Sequence, residues 1–208
     1  MKTSIDRILT THVGSLARPS ELLNLLWARE RGELEDPIEF EAQIRAAVDS
    51  RVQGQATAGI DIVCDGEQSK SSFLTYIADR LTGFAPCESQ GEDLWTESRE
   101  TLAFPEYYDS QRKLREGLVS KPVKLICNGP VEYCGQESVE RDIANIKSAV
   151  KKASAEEAFM TAVSPSDVEG QQGNAFYESE EAYLFAIAEA LREEYTAIVE
   201  AGLILQID

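Results

Sequence analysis

Positive charge is scarce in this chain. It has 20 lysines and arginines against 37 aspartates and glutamates, a formal net charge of -17. Repulsion from phosphate opposes nucleic-acid binding, so no nucleic-acid partner is expected. Histidine is scarcer still, with His12 alone. The four cysteines (Cys64, Cys87, Cys127, Cys134) form no C-x-x-C pair, and there is no H-x-C motif. Neither a disulfide framework nor a local metal-ligand pair is present, and free thiols in a reducing compartment follow. No apolar run approaches the roughly 18 residues of a membrane span. Met1 to Arg7 lacks the apolar core of a secretory signal. The expected location is the cytoplasm. No G-x-G-x-x-G follows any predicted strand, which weakens a dinucleotide-binding reading. Internal repeats and low-complexity segments are also missing.

What is there is ordinary globular material, 43% apolar and 27% charged over 208 residues, enough for a sizeable core. Residues 7–15 read as a strand running into a glycine turn. A helix follows Pro19, with Leu22, Leu23, Leu25, Leu26 and Trp27 on its apolar side. Pro37 opens a second helix with Asp36 as its cap, and Phe40, Ile44, Val48 and Val52 recur at helical spacing. Residues 60–67 read as a second strand. Phe73, Tyr76, Ile77, Leu81 and Phe84 predict a helix, and residues 86–100 an inserted loop. A third strand at 122–127 closes on Asn128-Gly129-Pro130. A helix over 138–153, a strand over 158–163, a loop over 167–174, a helix over 178–201 and a strand over 203–207 complete the chain.

Alternation of this kind predicts an α/β fold with a parallel sheet and right-handed crossovers. It is either an open doubly wound sheet or the first part of an eight-stranded barrel. The last strand ends on Asp208 with no covering helix after it. That ending suggests an incomplete fold, and both architectures stay open.

Polar residues gather where the predicted strands end: Thr10, Thr11, His12, Gly14 and Ser15; Asp65, Gly66, Glu67, Gln68 and Ser69; Asn128 and Gly129; Ser164 and Ser166; and Asp208. In a barrel these face one mouth. The Gly14-Ser15 turn exposes backbone N–H groups near a helix start, where a carboxylate or sulfonate can sit. Glu67 and Asp208 can accept from an ammonium group. Together they outline a pocket for a zwitterion such as an amino acid. Plainer readings stand beside these. His12 can be a structural hydrogen-bonding residue, Glu67 a solvated loop residue, and Gly14 a turn former. Asp208 can be frayed, and Cys64 and Cys127 can be core thiols.

Thr10-Thr11-His12-Val13-Gly14-Ser15 with Arg18-Pro19, then Asp65-Gly66-Glu67-Gln68, Asn128-Gly129-Pro130 and Leu205-Gln206-Ile207-Asp208, resemble the catalytic barrel of cobalamin-independent methionine synthases. The likeness is greatest to their short single-barrel members. The resemblance implies a (β/α)8 barrel of the methionine synthase/uroporphyrinogen decarboxylase-like superfamily, truncated here after about five strands, with 1–208 the N-terminal portion of a single TIM-barrel catalytic domain. It also implies methyl transfer from 5-methyltetrahydropteroyltri-L-glutamate to the homocysteine thiol, in methionine biosynthesis. It assigns Val13, Gly14 and Ser15 to the amino-acid carboxylate and Glu67 and Asp208 to the amino group, with Ser15 and Glu67 also near the folate. It implies zinc, which turns a thiol of ordinary pKa about 8.5 into a thiolate. The family's zinc ligands, a histidine and cysteine in H-x-C, a glutamate and a later cysteine, belong to the second half of the barrel and have no counterpart here. No metal-ligating and no catalytic residue is therefore expected in this portion.

His12 stands where methionine synthases proper have threonine, and Ala17 where proline is common. The histidine form also resembles thiol alkyltransferases of the epoxyalkane:coenzyme M transferase type, and His12 becomes a possible substrate or anion contact. A non-catalytic half-barrel that binds an amino acid or a partner chain is a further alternative, and a related barrel decarboxylase a third. The expected partners are small molecules, a thiol and an alkyl donor.

Overall fold

The computed structural model describes residues 1–72, 75–87, 98–115 and 125–208. Two helices come first, α1 (Ser20–Glu30) and α2 (Pro37–Thr57). Asp36 caps α2, its Oδ1 accepting from the backbone N–H of Ile38 and of Glu39, each at 3.0 Å. Pro37 occupies the position where a missing N–H has no consequence. Phe40, Ile44, Val48 and Val52 form the buried stripe that the spacing predicts. It packs against α5 (Gln136–Ala153).

The principal sheet is parallel and has three strands, in the order β1 (Ile62–Cys64), β4 (Glu157–Ala162), β6 (Ile204–Ile207). β4 is central and buried along most of its length, and its covering helix α7 (Glu180–Glu200) leads directly into β6. The expected strand at 7–15 is not formed. Only Thr11 bridges to Ile62, because this segment lacks alternation and Ile8 is exposed. Asp61 holds it instead, accepting from Thr10 N at 2.8 Å and from the Arg7 guanidinium.

A second sheet collects β2 (Phe84–Pro86), β3 (Leu125–Cys127) and β5 (Gly173–Asn174). The third predicted strand thus leaves the single parallel sheet that the alternation predicts. It pairs antiparallel with β2 and parallel with β5. The close approach of Gly83 to Gly129 permits this. A side chain at Gly83 would lie 2.5 Å from the Pro130 carbonyl oxygen, and Asn128 N donates to Gly83 O at 2.9 Å.

Other boundaries also move. The helix predicted from Phe73 to Phe84 is a single 3-10 turn at Thr75–Asp79, with Phe84 in β2. Phe73 and residues 122–124 lie outside the described residues. So does most of the predicted 86–100 loop, whose last residues begin the helix α3 (Arg99–Ala103). The helix α4 (Pro105–Arg115) is an addition to the predicted elements. The predicted loop at 167–174 is α6 (Pro165–Gln171), capped by Ser164, followed by β5. No helix among the described residues is long and apolar enough to cross a membrane.

A buried ionic cluster joins the 3-10 turn to two helices. The Arg80 guanidinium donates to Asp142 of α5 at 2.8 Å and to the Gly135 carbonyl at 3.3 Å. Its Nε lies 3.4 Å from Glu194 of α7, which also accepts from the Tyr133 hydroxyl at 2.8 Å. The face of Tyr76 covers the guanidinium. Tyr76 in turn accepts from Val163 N at 2.8 Å, and Tyr195 donates to Val163 O at 2.5 Å. The C-terminal end of β4 is held from both sides.

Candidate functional site

The residues after β1 make a tight knot. Gly66 and Glu67 are both left-handed, with φ of 65° and 56°. Glycine accepts that conformation freely; for a glutamate it is strained, and such strain concentrates at functional sites. Asp65 fixes the bend by accepting from Glu67 N at 2.9 Å. Gln68 Nε2 bridges the carbonyls of Gly66 and Leu16, each at 2.9 Å, and Leu16 N returns to Gly66 O at 3.0 Å. The 12–18 segment is thereby stitched to the 65–70 loop. A Cβ on Gly66 would lie 2.9 Å from the Leu16 Cβ. Gly66→Ala is therefore expected to destabilise the protein by about 1–3 kcal/mol and to loosen this junction, read by urea unfolding.

Glu67 is 4% exposed, so the solvated-loop reading fails. Its Oε2 accepts from the Ser15 hydroxyl and its Oε1 from the Thr161 hydroxyl of β4 at 3.3 Å. Arg18 donates from Nη2 to the Glu67 carbonyl at 2.7 Å. Lys70, also buried, donates to the Thr161 carbonyl at 2.7 Å and lies over the Tyr76 ring at 4.6 Å. Burial pushes the Asp65 carboxyl above the usual carboxylate range, and the Lys70 charge opposes that rise. Burial lowers the Arg18 guanidinium, with Glu67 and Asp65 pulling it back up. Two carboxylates and two cations thus share one partly dry corner with two hydroxyls.

The other predicted residues are placed less centrally. Gly14 has φ of 89°, a true left-handed turn, and the Val13 side chain is exposed. The His12 carbonyl accepts from Cys64 Sγ at 3.5 Å, while its Nε2 is buried with no hydrogen-bond partner among the described residues. Asp208 is exposed and lies across β4. Its backbone N–H donates to Ala162 O at 3.0 Å, its carbonyl accepts from Ser164 N at 2.6 Å, and its carboxylate accepts from Gln206 Nε2 at 2.6 Å. The fold joins Ser15 to Glu67 directly; Asp208 shares the same end of the sheet without bonding either. Lys70 and Thr161 are absent from the residues that the sequence singles out. Thr161 has a signal there, a lone hydroxyl in the apolar run Ala158 to Val163.

Among the described residues, no three His, Cys, Asp or Glu side chains could hold a metal ion together. Cys64 is buried, and desolvation pushes its thiol up to about 12. Cys127, likewise buried, is raised by the same cause. These donors do not fit the zinc that the resemblance implies. Labelling with a disulfide reagent at pH 8 should modify the exposed Cys134 first and spare Cys64 until the chain unfolds.

The family described as "Cobalamin-independent synthase, Catalytic domain" matches residues 8–166. That span holds His12, Val13, Gly14, Ser15 and Glu67, and stops short of Asp208. Two proteins named 5-methyltetrahydropteroyltriglutamate--homocysteine methyltransferase are similar. The one from Mesorhizobium japonicum is 27% identical over 149 residues, 64% of this chain and 18% of that protein. The one from Aeromonas salmonicida is 26% identical over 157 residues, 68% of this chain and 20% of that protein. In fold, the chain is similar to a B12-independent methionine synthase from Shewanella sp. W3-18-1 in complex with selenomethionine. The TM-score is 0.63 at 21% identity, covering 96% of this chain and 50% of that one. A putative vitamin-B12 independent methionine synthase from Listeria monocytogenes gives 0.61 at 18% identity, covering 97% and 53%. The chain thus spans about a fifth of the curated relatives' length and about half of the solved chains. With the match over residues 8–166, the chain belongs to the cobalamin-independent synthase catalytic-domain family.

Proposed function

We propose that this chain forms the amino-acid-binding portion of a (β/α)8-barrel enzyme that transfers a methyl group from 5-methyltetrahydropteroyltri-L-glutamate to homocysteine. The observation that carries this reading is the state of Glu67. A carboxylate has about four lone-pair sites, and Glu67 commits two of them, to the Ser15 and Thr161 hydroxyls. The remaining two suit the ammonium of an α-amino acid, in a corner where charge-assisted hydrogen bonds are strong.

The turn at Val13-Gly14-Ser15 would receive the carboxylate, and Asp208 would add a second, weaker acceptor for the ammonium. His12, beside that turn, is the further candidate for an anionic group. The folate would lie near Ser15 and Glu67. The enzyme would work in the cytoplasm on small molecules. Zinc dependence is proposed from the family resemblance alone. The described residues do not furnish its ligands, and no step assigned to this chain passes through the metal. What these residues do is bind and orient the thiol substrate's amino-acid end.

Calorimetric titration with homocysteine and with methionine tests the reading. Both are expected to bind with one site per chain, and purified protein is expected to hold far less than one zinc. Failure of both ligands to bind would overturn it.

A further inference from the structure

Arg18 lies half-buried between the 12–18 segment and the 65–70 loop. A guanidinium has five N–H donors. Among the described residues, Arg18 makes one side-chain hydrogen bond, from Nη2 to the Glu67 carbonyl at 2.7 Å. Its Nε is buried with no hydrogen-bond partner among the described residues. The nearby carboxylates do not take up the deficit. Asp65 is bonded to Glu67 N, and the Glu67 oxygens hold the Ser15 and Thr161 hydroxyls. Both act on Arg18 through space, and no carboxylate forms an ion pair with it among the described residues.

A half-buried cation with a buried, unpartnered Nε is costly, since charge withdrawn from water is repaid only by close pairing. The geometry points to Arg18 as the residue that pairs with the carboxylate of the bound amino acid. This rests on the amino-acid reading above and adds to it. An α-amino acid carries its two charged groups on one carbon. Arg18 and Glu67 present opposite charges on neighbouring groups, tied through the Glu67 carbonyl. The planar fork of arginine matches a carboxylate in two-point fashion, which lysine cannot copy. The Gly14-Ser15 turn then orients the carboxylate, and Arg18 supplies the charge that selects it.

The test compares methionine with 3-(methylthio)propylamine, the same molecule without its carboxylate. Both are titrated into the full chain and its Arg18→Lys and Arg18→Gln variants. Methionine affinity should fall about tenfold to a hundredfold in Arg18→Gln, with only partial rescue in Arg18→Lys, while binding of the amine stays within about twofold. Equal loss for both ligands would make Arg18 structural and overturn the assignment. If the parent protein binds neither ligand, the amino-acid reading fails on its own account. Arg18 is then judged with acetate, by following its side-chain N–H resonance, assigned from its absence in Arg18→Lys. A saturable shift on acetate addition upholds an anion site at Arg18, and no shift overturns it.

Discussion

Replacing Arg80 by methionine is expected to destabilise the protein by about 3–5 kcal/mol, more than Gly66→Ala does. The substitution keeps the length of the side chain and removes the charge. Asp142 and Glu194 are both buried and face the lost cation at 2.8 and 3.4 Å; Asp142 keeps Arg141 at 3.2 Å, whereas Glu194 keeps only the Tyr133 hydroxyl among the described residues. The size of the effect lies mainly in Glu194, a buried carboxylate left without a cation, rather than in the net worth of the pairs. The companion experiment replaces all three residues together, Arg80→Met, Asp142→Leu and Glu194→Leu. That variant should recover most of the lost stability, because no buried charge is left unpaired. Urea unfolding of the parent, Arg80→Met and the triple variant measures this. A drop below about 1 kcal/mol for Arg80→Met would show that water reaches the cluster and compensates the charges.

Glu67→Gln should have the largest effect on binding. It exchanges one carboxylate oxygen for an amide NH2 at almost unchanged shape. The remaining oxygen can keep one hydroxyl partner, and the other hydroxyl can rotate to accept. The fold should therefore lose no more than about 1 kcal/mol. Loss of the negative charge removes a charge-assisted bond worth about 1.5–3 kcal/mol, a weakening of roughly ten- to a hundredfold for methionine or homocysteine. Asp208→Asn is the internal comparison. Asp208 is exposed and already accepts from Gln206, so its loss should weaken binding several-fold at most. Unchanged affinity in Glu67→Gln would remove Glu67 from the ligand's surroundings.

Much of the helical framework is legible because it is written locally. Phe40, Ile44, Val48 and Val52 give one face of α2, and Asp36-Pro37 gives its start. The cluster of polar residues at strand ends likewise leads to Ser15 and Glu67. Strand pairing is less legible. The spacing of residues 122–127 says that a strand forms, but its partner depends on Gly83 and Gly129 meeting, a contact that no local pattern encodes. The 7–15 segment carries apolar residues without an alternating face, so composition suggests a strand and geometry forms one bridge. The buried ions do leave a trace in the sequence. Glu194 falls in the apolar phase of α7 with Ile187, Leu191 and Ile198, and Asp142 in that of α5 with Val139 and Ile146. An acid in such a phase signals a buried cation nearby, and in this fold that cation arrives from the turn at Arg80.

The Ser15–Glu67 and Thr161–Glu67 hydrogen bonds span 52 and 94 residues of chain. Neither can form early, because each requires closure of a long loop before it yields any stabilisation. An amino acid seated on Glu67 would therefore find its site only after these segments have assembled. Such a ligand should leave the refolding rate nearly untouched and slow unfolding in proportion to its occupancy. The site then acts as a latch on the finished molecule, and substrate supply sets how long each copy stays closed.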